Sequence, residues 1–158
     1  MIRKKILLLG DFSVGKTSLV RRYVDGAFDD KYLTTIGVKI AKKYFEVAGV
    51  EYEMIIWDVE GSTPSKKIAL GYYKGASGAI CVADSSREET IKGLERHKEI
   101  FLLENPKGKI VTAYNKIDLL DEASKAKILL DENTFLTSAK DDDCVEEVFL
   151  QLMRQMVV

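Results

Sequence analysis

The chain has 158 residues, of which 46% are hydrophobic and 31% charged, and its formal net charge is −1 at pH 7. This length and composition are typical of a single globular domain with a hydrophobic core, which we expect to span residues 1–158. The near-neutral charge argues against electrostatic binding to nucleic acid or to an anionic membrane, and no apolar run is long enough to cross a bilayer.

Short apolar runs alternate with helix-length segments along the chain, a pattern that predicts an open α/β sheet. In chain order the predicted strands are residues 5–9, 38–47, 50–57, 78–83, 110–114 and 134–136. The predicted helices are residues 16–24, 64–73, 88–103, 122–130 and 144–156. Ala48-Gly49 is a plausible hairpin turn between the second and third strands. We therefore expect a six-stranded, mostly parallel sheet with one antiparallel edge strand and helices on both faces.

Residues 10–17, hereafter the phosphate loop, follow the first predicted strand and have the G-x-x-x-x-G-K-[ST] spacing of a nucleoside-triphosphate-binding loop. In such a loop, successive backbone N–H groups form an anion nest, and the following helix adds its dipole. Lys16 supplies a cation for the outer phosphates, and the Thr17 hydroxyl is placed to coordinate Mg²⁺. A chance glycine-rich turn is the alternative. The residues expected to bind phosphate are Phe12, Ser13, Val14, Gly15, Lys16, Thr17 and Ser18.

Asn115-Lys116-Ile117-Asp118 directly follows the fifth predicted strand. A carboxylate at position 118 can accept hydrogen bonds from both the ring N1–H and the exocyclic amino group of guanine, whereas adenine offers no such pair of donors. The Lys116 stem could pack along the base, and Asn115 could brace the loop. The string is short, and a solvated turn is its alternative interpretation.

A second candidate base-binding segment, Thr137-Ser138-Ala139-Lys140, follows the last predicted strand. The backbone N–H of Ala139 could meet guanine O6 while Lys140 covers the base, and Ser138 belongs to the same loop. Phe28 is a candidate aromatic lid for the other face of the base, although a single phenylalanine in a loop is more often part of the core.

These segments occur in an order that chance rarely produces, each after a predicted strand. The chain resembles a small GTPase of the Ras superfamily, and the Rab branch most of all. The resemblance spans nearly the whole chain and implies the small G domain of P-loop NTPases. The compact form, with no cysteine near its end for a lipid anchor, is also similar to prokaryotic Ras-like GTPases. The residues that carry the resemblance are Gly10-Asp11, Gly15-Lys16-Thr17-Ser18-Leu19, Thr34-Thr35-Ile36-Gly37, Trp57-Asp58 with Gly61, Tyr72-Tyr73-Lys74-Gly75-Ala76, Asn115-Lys116 with Asp118-Leu119, and Ser138-Ala139-Lys140.

The resemblance implies a molecular switch that binds GTP or GDP with Mg²⁺ and hydrolyses GTP. Thr17 and Thr35 would ligate Mg²⁺ through their hydroxyls, and Asp58 would hold a metal-bound water. Residues 29–37 and 58–73 would be the two switch segments, which are released when the γ-phosphate is lost. The same segments would form the surface for protein effectors and regulators.

Catalysis would involve Lys16, with Thr35 and Gly61 contacting the γ-phosphate and the attacking water. Ser62, however, stands where Rab proteins have the glutamine that orients this water. A serine is too short for that role, so we expect slow hydrolysis, with Glu60 as a candidate substitute. The alternative is a GTP-binding interaction module with little useful hydrolysis. A P-loop kinase or ATPase is disfavoured, because the Asn-Lys-x-Asp string indicates guanine.

Phe12 is a further departure, since the family usually has glycine or serine at this position. Its side chain would either block an arginine finger from an activating protein or turn outward. The remaining polar residues are assigned ordinary roles: His97 is expected on the surface, and Cys144 and the acidic residues 141–143 are expected at the start of the last helix. The two cysteines give neither a disulfide framework nor a metal-ligand spacing, which favours a reducing, cytoplasmic setting.

Overall fold

A computed structural model describes residues 1–24, 38–59 and 70–157. The strands are β1 (Ile2–Leu9), β2 (Val38–Val47), β3 (Val50–Val59), β4 (Ala76–Asp84), β5 (Lys109–Asn115) and β6 (Thr134–Leu136). The helices are α1 (Lys16–Val24), α2 (Glu88–Lys92), α3 (Leu94–Glu104), α4 (Glu122–Ala126) and α5 (Val145–Met156). Two 3₁₀ turns, Leu70–Tyr72 and Ile117–Leu119, precede β4 and follow β5. Within these ranges no helix combines the length and apolar character needed to cross a membrane.

The six strands form one sheet in the order β2-β3-β1-β4-β5-β6. The β2–β3 pair is antiparallel, and the other four pairs are parallel. The hairpin closes at the Val47–Val50 pair, and its turn residues, Ala48 and Gly49, have φ angles of 51° and 78°. Two left-handed residues match the twist of a tight hairpin. The expected antiparallel edge strand is thus confirmed.

Strand β1 is buried on both faces of the sheet. Ile6 and Leu8 belong to a core cluster with residues of α1 and α5, whereas Leu7 and Leu9 belong to the opposite cluster, which includes Phe101 of α3. A continuous apolar run is what a parallel strand covered on both sides requires, because neither set of alternating side chains faces water. The expectation of helices on both faces is confirmed.

The apolar stripe of α5 packs across β4 and β5. Gly78 of β4 allows the close approach, because a Cβ at this position would lie 2.8 Å from Leu152 Cδ1 and 2.9 Å from Met156 Sδ. The ring of Phe149 also stacks on Tyr23 of α1, with centroids 4.0 Å apart. The helix predicted over residues 144–156 is therefore a core element that begins one residue later than expected. Its buried residues are Val145, Val148, Phe149, Leu152, Met153 and Met156.

The single helix predicted over residues 88–103 is wrong, because α2 and α3 are separate helices that meet at Gly93. Glycine weakens a helix interior, and here it also makes room for a neighbour. A Cβ at Gly93 would lie 2.9 Å from Asp11 Oδ2, so the junction packs directly against the phosphate loop.

Two other predicted helices differ from the structure or lie partly outside it. The helix predicted over residues 122–130 ends at Ala126, and Leu129 and Leu130 beyond it are exposed, so no buried apolar stripe extends it. Of the helix predicted over residues 64–73, residues 64–69 lie outside the described residues, and residues 70–72 form a 3₁₀ turn.

The acidic residues 141–143 do not begin α5, contrary to expectation. Asp143 instead pairs with Ser138 through two backbone hydrogen bonds of 3.1 and 2.9 Å, and two glutamates occupy the first turn of the helix. Cys144 precedes the helix with a φ of 55°. Burial, together with the neighbouring carboxylates, raises the pKa of its thiol. Both effects disfavour the reactive thiolate form of this cysteine.

Candidate functional site

Four of the segments singled out in the sequence meet at one edge of the sheet, at the carboxyl ends of the parallel strands. The phosphate loop follows β1, Asp58 lies near the end of β3, and residues 115–118 and 137–140 follow β5 and β6. Leu8 of β1 is the register partner of Asp58, so these two strand ends are level. This is the edge at which open α/β sheets bind ligands.

The phosphate loop curls around the ammonium group of its own lysine. Lys16 Nζ donates to the carbonyl oxygens of Gly10 and Asp11, both at 3.0 Å, and the residue is only 6% exposed. Gly10 and Gly15 have φ angles of 155° and 100°. A Cβ would lie 2.3 Å from a β4 carbonyl oxygen at Gly10 and 2.2 Å from Asn115 Nδ2 at Gly15. Both glycines are therefore needed for the loop to pass this close to its neighbours.

The segment after β5 braces the phosphate loop. Asn115 Nδ2 donates to the Val14 carbonyl at 3.0 Å, and Lys116 Nζ donates to the Ser13 carbonyl at 2.8 Å. Lys116 has a left-handed backbone and also forms an ion pair with Asp84 at 3.2 Å. Asn115 thus lies where the sequence predicted a brace, and Lys116 acts as a second one.

A hydroxyl and a carboxylate meet where α1 approaches the end of β3. Thr17 Oγ1 donates to Asp58 Oδ2 at 2.5 Å, and Asp58 is 4% exposed. Burial raises the pKa of Asp58, although the Thr17 hydrogen bond and the cation of Lys16 oppose the shift. Oxygen donors of this kind suit a hard cation such as Mg²⁺, which would also offset the cost of the buried carboxylate. Within the described ranges no cluster of three or more His, Cys, Asp or Glu side chains is placed to hold a metal.

A cavity of 790 Å³ extends from the phosphate loop to the loops after β5 and β6. Asp118 lines it, and its Oδ1 accepts a hydrogen bond of 2.8 Å from Ser138 Oγ. The two loops are joined below the cavity by a 3.0 Å hydrogen bond from Thr137 Oγ1 to Asn115 Oδ1. Seven of the sequence-predicted site residues share the lining: Gly15, Ser18, Asn115, Lys116, Asp118, Ala139 and Lys140.

A family model described as "Ras family" matches residues 5–158 of this chain. The chain belongs to the Ras family.

Similar proteins place this Ras-family chain beside the Rab proteins. It is 36% identical to "GTP-binding protein ypt1" of Schizosaccharomyces pombe, over 96% of this chain and 79% of that protein. It is 32% identical to mouse "Ras-related protein Rab-21", over 97% of this chain and 72% of the relative. It is also 32% identical to "Ras-related protein RabJ" of Dictyostelium discoideum, over 99% and 64% of the two chains. The expected Rab-like family and small G-domain fold are confirmed.

Arg22 is a residue of this Ras-family site that the sequence did not single out. Its Nε donates to the Ala139 carbonyl at 2.9 Å and its Nη2 to the Lys140 carbonyl at 3.1 Å, which ties α1 to the loop after β6. Arg21 and Arg22 are adjacent exposed cations on α1. No local sequence pattern indicates that Arg22 contacts a residue 117 positions later in the chain.

His97 does not lie on the surface, and that expectation is wrong. The residue is 1% exposed, and its Nε2 lies 2.9 Å from Asp11 Oδ1 in the phosphate loop. Its sequence neighbours Arg96 and Lys98 are charged, and charged neighbours are typical of the solvent-exposed side of a helix. Phe12, in contrast, is 54% exposed, an exposure that fits both interpretations of its side chain.

The other sequence-predicted site residues lie outside the described residues. They are the candidate base lid, the threonine of the first switch segment, and three consecutive residues of the second segment that follow the described end of β3. Residues 29–37 are outside altogether, and residues 58–59 and 70–73 are the described ends of the second segment. The individual residues concerned are Phe28, Thr35, Glu60, Gly61 and Ser62.

Proposed function

We propose that this protein is a guanine-nucleotide switch that binds GTP and GDP with Mg²⁺ and hydrolyses GTP slowly. The observation that carries the proposal is the shared cavity, which Gly15 of the phosphate loop and Ser18 line together with Asp118. A ligand that fills it needs phosphate groups at one end and a donor-bearing base at the other. Family membership supports the same function, and one relative is named as a GTP-binding protein.

Phosphate binding is assigned to the phosphate loop and the start of α1. The backbone N–H groups of residues 12–18 form the anion nest, and the Lys16 ammonium, held inside the curve of the loop, neutralises the outer phosphates. Thr17 and Thr35 would ligate Mg²⁺ and Asp58 would hold it through a bound water, and the ion would supply charge neutralisation at the β- and γ-phosphates.

Base recognition is assigned to Asp118, whose carboxylate accepts from guanine N1–H and the 2-amino group. Ser138 donates to one carboxylate oxygen and fixes its orientation. The Ala139 N–H would reach guanine O6. Lys140 and Phe28 would cover the two faces of the base. Because Asn115 and Lys116 bind carbonyl groups of the phosphate loop, the two halves of the site are held in one geometry.

Switching is assigned to residues 29–37 and 58–73, through which protein effectors and regulators would bind. Thr35 and Gly61 would contact the γ-phosphate and lose that contact after hydrolysis, so the surface that partners recognise would change with the nucleotide.

Protein purified without added nucleotide and then denatured is expected to release GDP or GTP. The released compound is identified by chromatography and mass spectrometry, and a parallel preparation of the Asp118→Ala variant serves as the control for binding at this cavity. Release of ADP or ATP from the unaltered protein would contradict the guanine assignment.

The second candidate function is a GTP-binding interaction module, and Ser62 is the residue that favours it. A serine hydroxyl cannot reach both the attacking water and the transition-state phosphate as a glutamine amide does. Single-turnover GTP hydrolysis is therefore expected to be about tenfold faster or more in Ser62→Gln than in the unaltered protein.

The Glu60→Ala variant separates the two candidates in the same assay. If the Glu60 carboxylate accepts a proton from the attacking water, its removal lowers the rate by about 10²-fold, the smaller end of what general-base catalysis contributes. An unchanged rate in Glu60→Ala excludes this residue from the mechanism and favours the GTP-binding interaction module.

A further inference from the structure

The phosphate loop contacts residues of α3 that have no role in the proposed nucleotide binding. His97 Nε2 lies 2.9 Å from Asp11 Oδ1, and the imidazole is 1% exposed while the Asp11 side chain is 19% exposed. Arg96 Nη2 lies 3.3 Å from the same carboxylate oxygen. Gly93 lies against the same carboxylate, and any side chain at this position would displace it.

Asp11 connects these α3 residues to the phosphate-binding lysine. Its side chain binds His97 and Arg96, and its backbone carbonyl accepts from Lys16 Nζ at 3.0 Å. The next carbonyl along the loop, that of Phe12, accepts from Arg87 at 3.1 Å. The segment from Arg87 to His97 therefore holds two consecutive residues of the phosphate loop.

The protonation state of His97 follows from its surroundings. Burial lowers its pKa below the ordinary value of 6.5, and Asp11 only partly opposes this effect. The other charged groups that act on the ring are the cations Arg96 and Lys16, which also disfavour a second proton. A neutral imidazole whose Nε2–H donates to the Asp11 carboxylate satisfies these conditions at neutral pH.

On the basis of the function proposed above, we propose that neutral His97 is a positioning residue that, through Asp11, keeps the phosphate loop in its nucleotide-binding shape. His97 itself touches no nucleotide. Its loss therefore acts by allowing the backbone of residues 10–13 to move, which weakens several phosphate contacts at once.

The test compares His97→Phe, which keeps a ring but has no donor, with His97→Gln, which keeps an N–H donor at a similar reach. Dissociation of a fluorescent GDP analogue is expected to be about tenfold faster in His97→Phe and within about threefold of the unaltered protein in His97→Gln. Glu99→Gln, on an exposed part of α3, is the matched control. Equal effects in His97→Phe and His97→Gln would overturn the proposal.

A double variant tests whether His97 acts through Asp11. Asp11→Ala is expected to accelerate dissociation, and adding His97→Phe to it should cause less than a twofold further change, because the shared contact is already lost. Fully multiplicative effects would mean that His97 does not act through Asp11.

Hydrogen exchange separates a failure of this proposal from a failure of the proposed function. Without any nucleotide, the backbone amides of residues 10–13 should exchange about tenfold faster in His97→Phe and remain protected in His97→Gln. If the unaltered protein binds no guanine nucleotide, the proposed function fails, and this measurement still decides the positioning role. Unchanged exchange in His97→Phe overturns it.

The pH profile tests the neutral form. Because the pKa of His97 is lower in the folded protein than in the unfolded one, the unfolded chain binds more protons as the pH falls below about 6.5. The unaltered protein should lose more thermal stability between pH 7.5 and 5.5 than His97→Gln, which cannot titrate. Parallel stability profiles would contradict the neutral, donating imidazole.

Discussion

Asp118→Asn is expected to reduce affinity for GDP and GTP by about 10²–10⁴-fold, the equivalent of two hydrogen bonds to a charged acceptor. It should at the same time raise affinity for xanthine nucleotides. Guanine presents two donors, N1–H and the 2-amino group, which an ionised carboxylate accepts. Xanthine has a carbonyl oxygen in place of the amino group, so it presents one donor and one acceptor, which an amide can match.

Ser138 determines how the substituted amide would lie. Its hydroxyl accepts from the Asp141 N–H at 3.0 Å, which directs its own proton towards Asp118 Oδ1, 2.8 Å away. In Asp118→Asn the amide oxygen would keep this hydrogen bond, and the NH₂ group would face the position of the guanine amino group. Two donors would then oppose each other, which is why the loss of affinity should exceed that of a missing contact.

Equilibrium titrations with GDP and with xanthosine diphosphate measure the change. Asp142→Asn is the matched control, because Asp142 lines the same cavity, is exposed, and undergoes the same change of charge. Its effect should be within about threefold if long-range charge is a minor factor at physiological ionic strength. Unchanged GDP affinity in Asp118→Asn would show that the base binds elsewhere.

The fold was largely predictable because its signals are local. The first helix, the second strand and the last strand have the boundaries predicted, since each is defined by its own periodicity and by adjacent glycines or turns. The order of the site segments was predictable for a related reason. In a parallel sheet the carboxyl ends lie at one edge, so loops that are distant in sequence converge without any long-range information.

Two of the errors concern contacts between distant parts of the chain. His97 is buried because Asp11, 86 residues earlier, lies against it, and nothing in the composition of α3 reports that contact. The interruption between α2 and α3 has a similar cause, because the Asp11 carboxylate occupies the space that a side chain at Gly93 would need. The acidic residues 141–143 were assigned to the start of a helix because their charge suits a helix N-terminus. Asp143 instead forms backbone hydrogen bonds with Ser138, which exclude it from the helix.

Lys16→Ala is expected to weaken binding of GDP and GTP by about 10²–10³-fold, because it removes the cation that, under the proposed function, makes charge-assisted contacts with phosphate. The substitution also removes donors to the Gly10 and Asp11 carbonyls, which the ammonium reaches at 3.0 Å. Lys107→Ala is the matched control, an exposed lysine near the amino end of β5. Its affinity should equal that of the unaltered protein.

Guanosine, which has no phosphate, distinguishes the two ends of the site. Lys16→Ala should leave the weak affinity for guanosine within about threefold of that of the unaltered protein. Asp118→Asn should instead reduce the affinities for guanosine and for GDP by the same factor. This crossed pattern follows from the proposed roles, in which the phosphate loop binds the phosphates and Asp118 binds the base within one cavity. If Lys16→Ala weakened guanosine binding as strongly as GDP binding, the lysine would be maintaining the shape of the whole site through its carbonyl contacts, and the separate assignment of phosphate binding to Lys16 would be wrong.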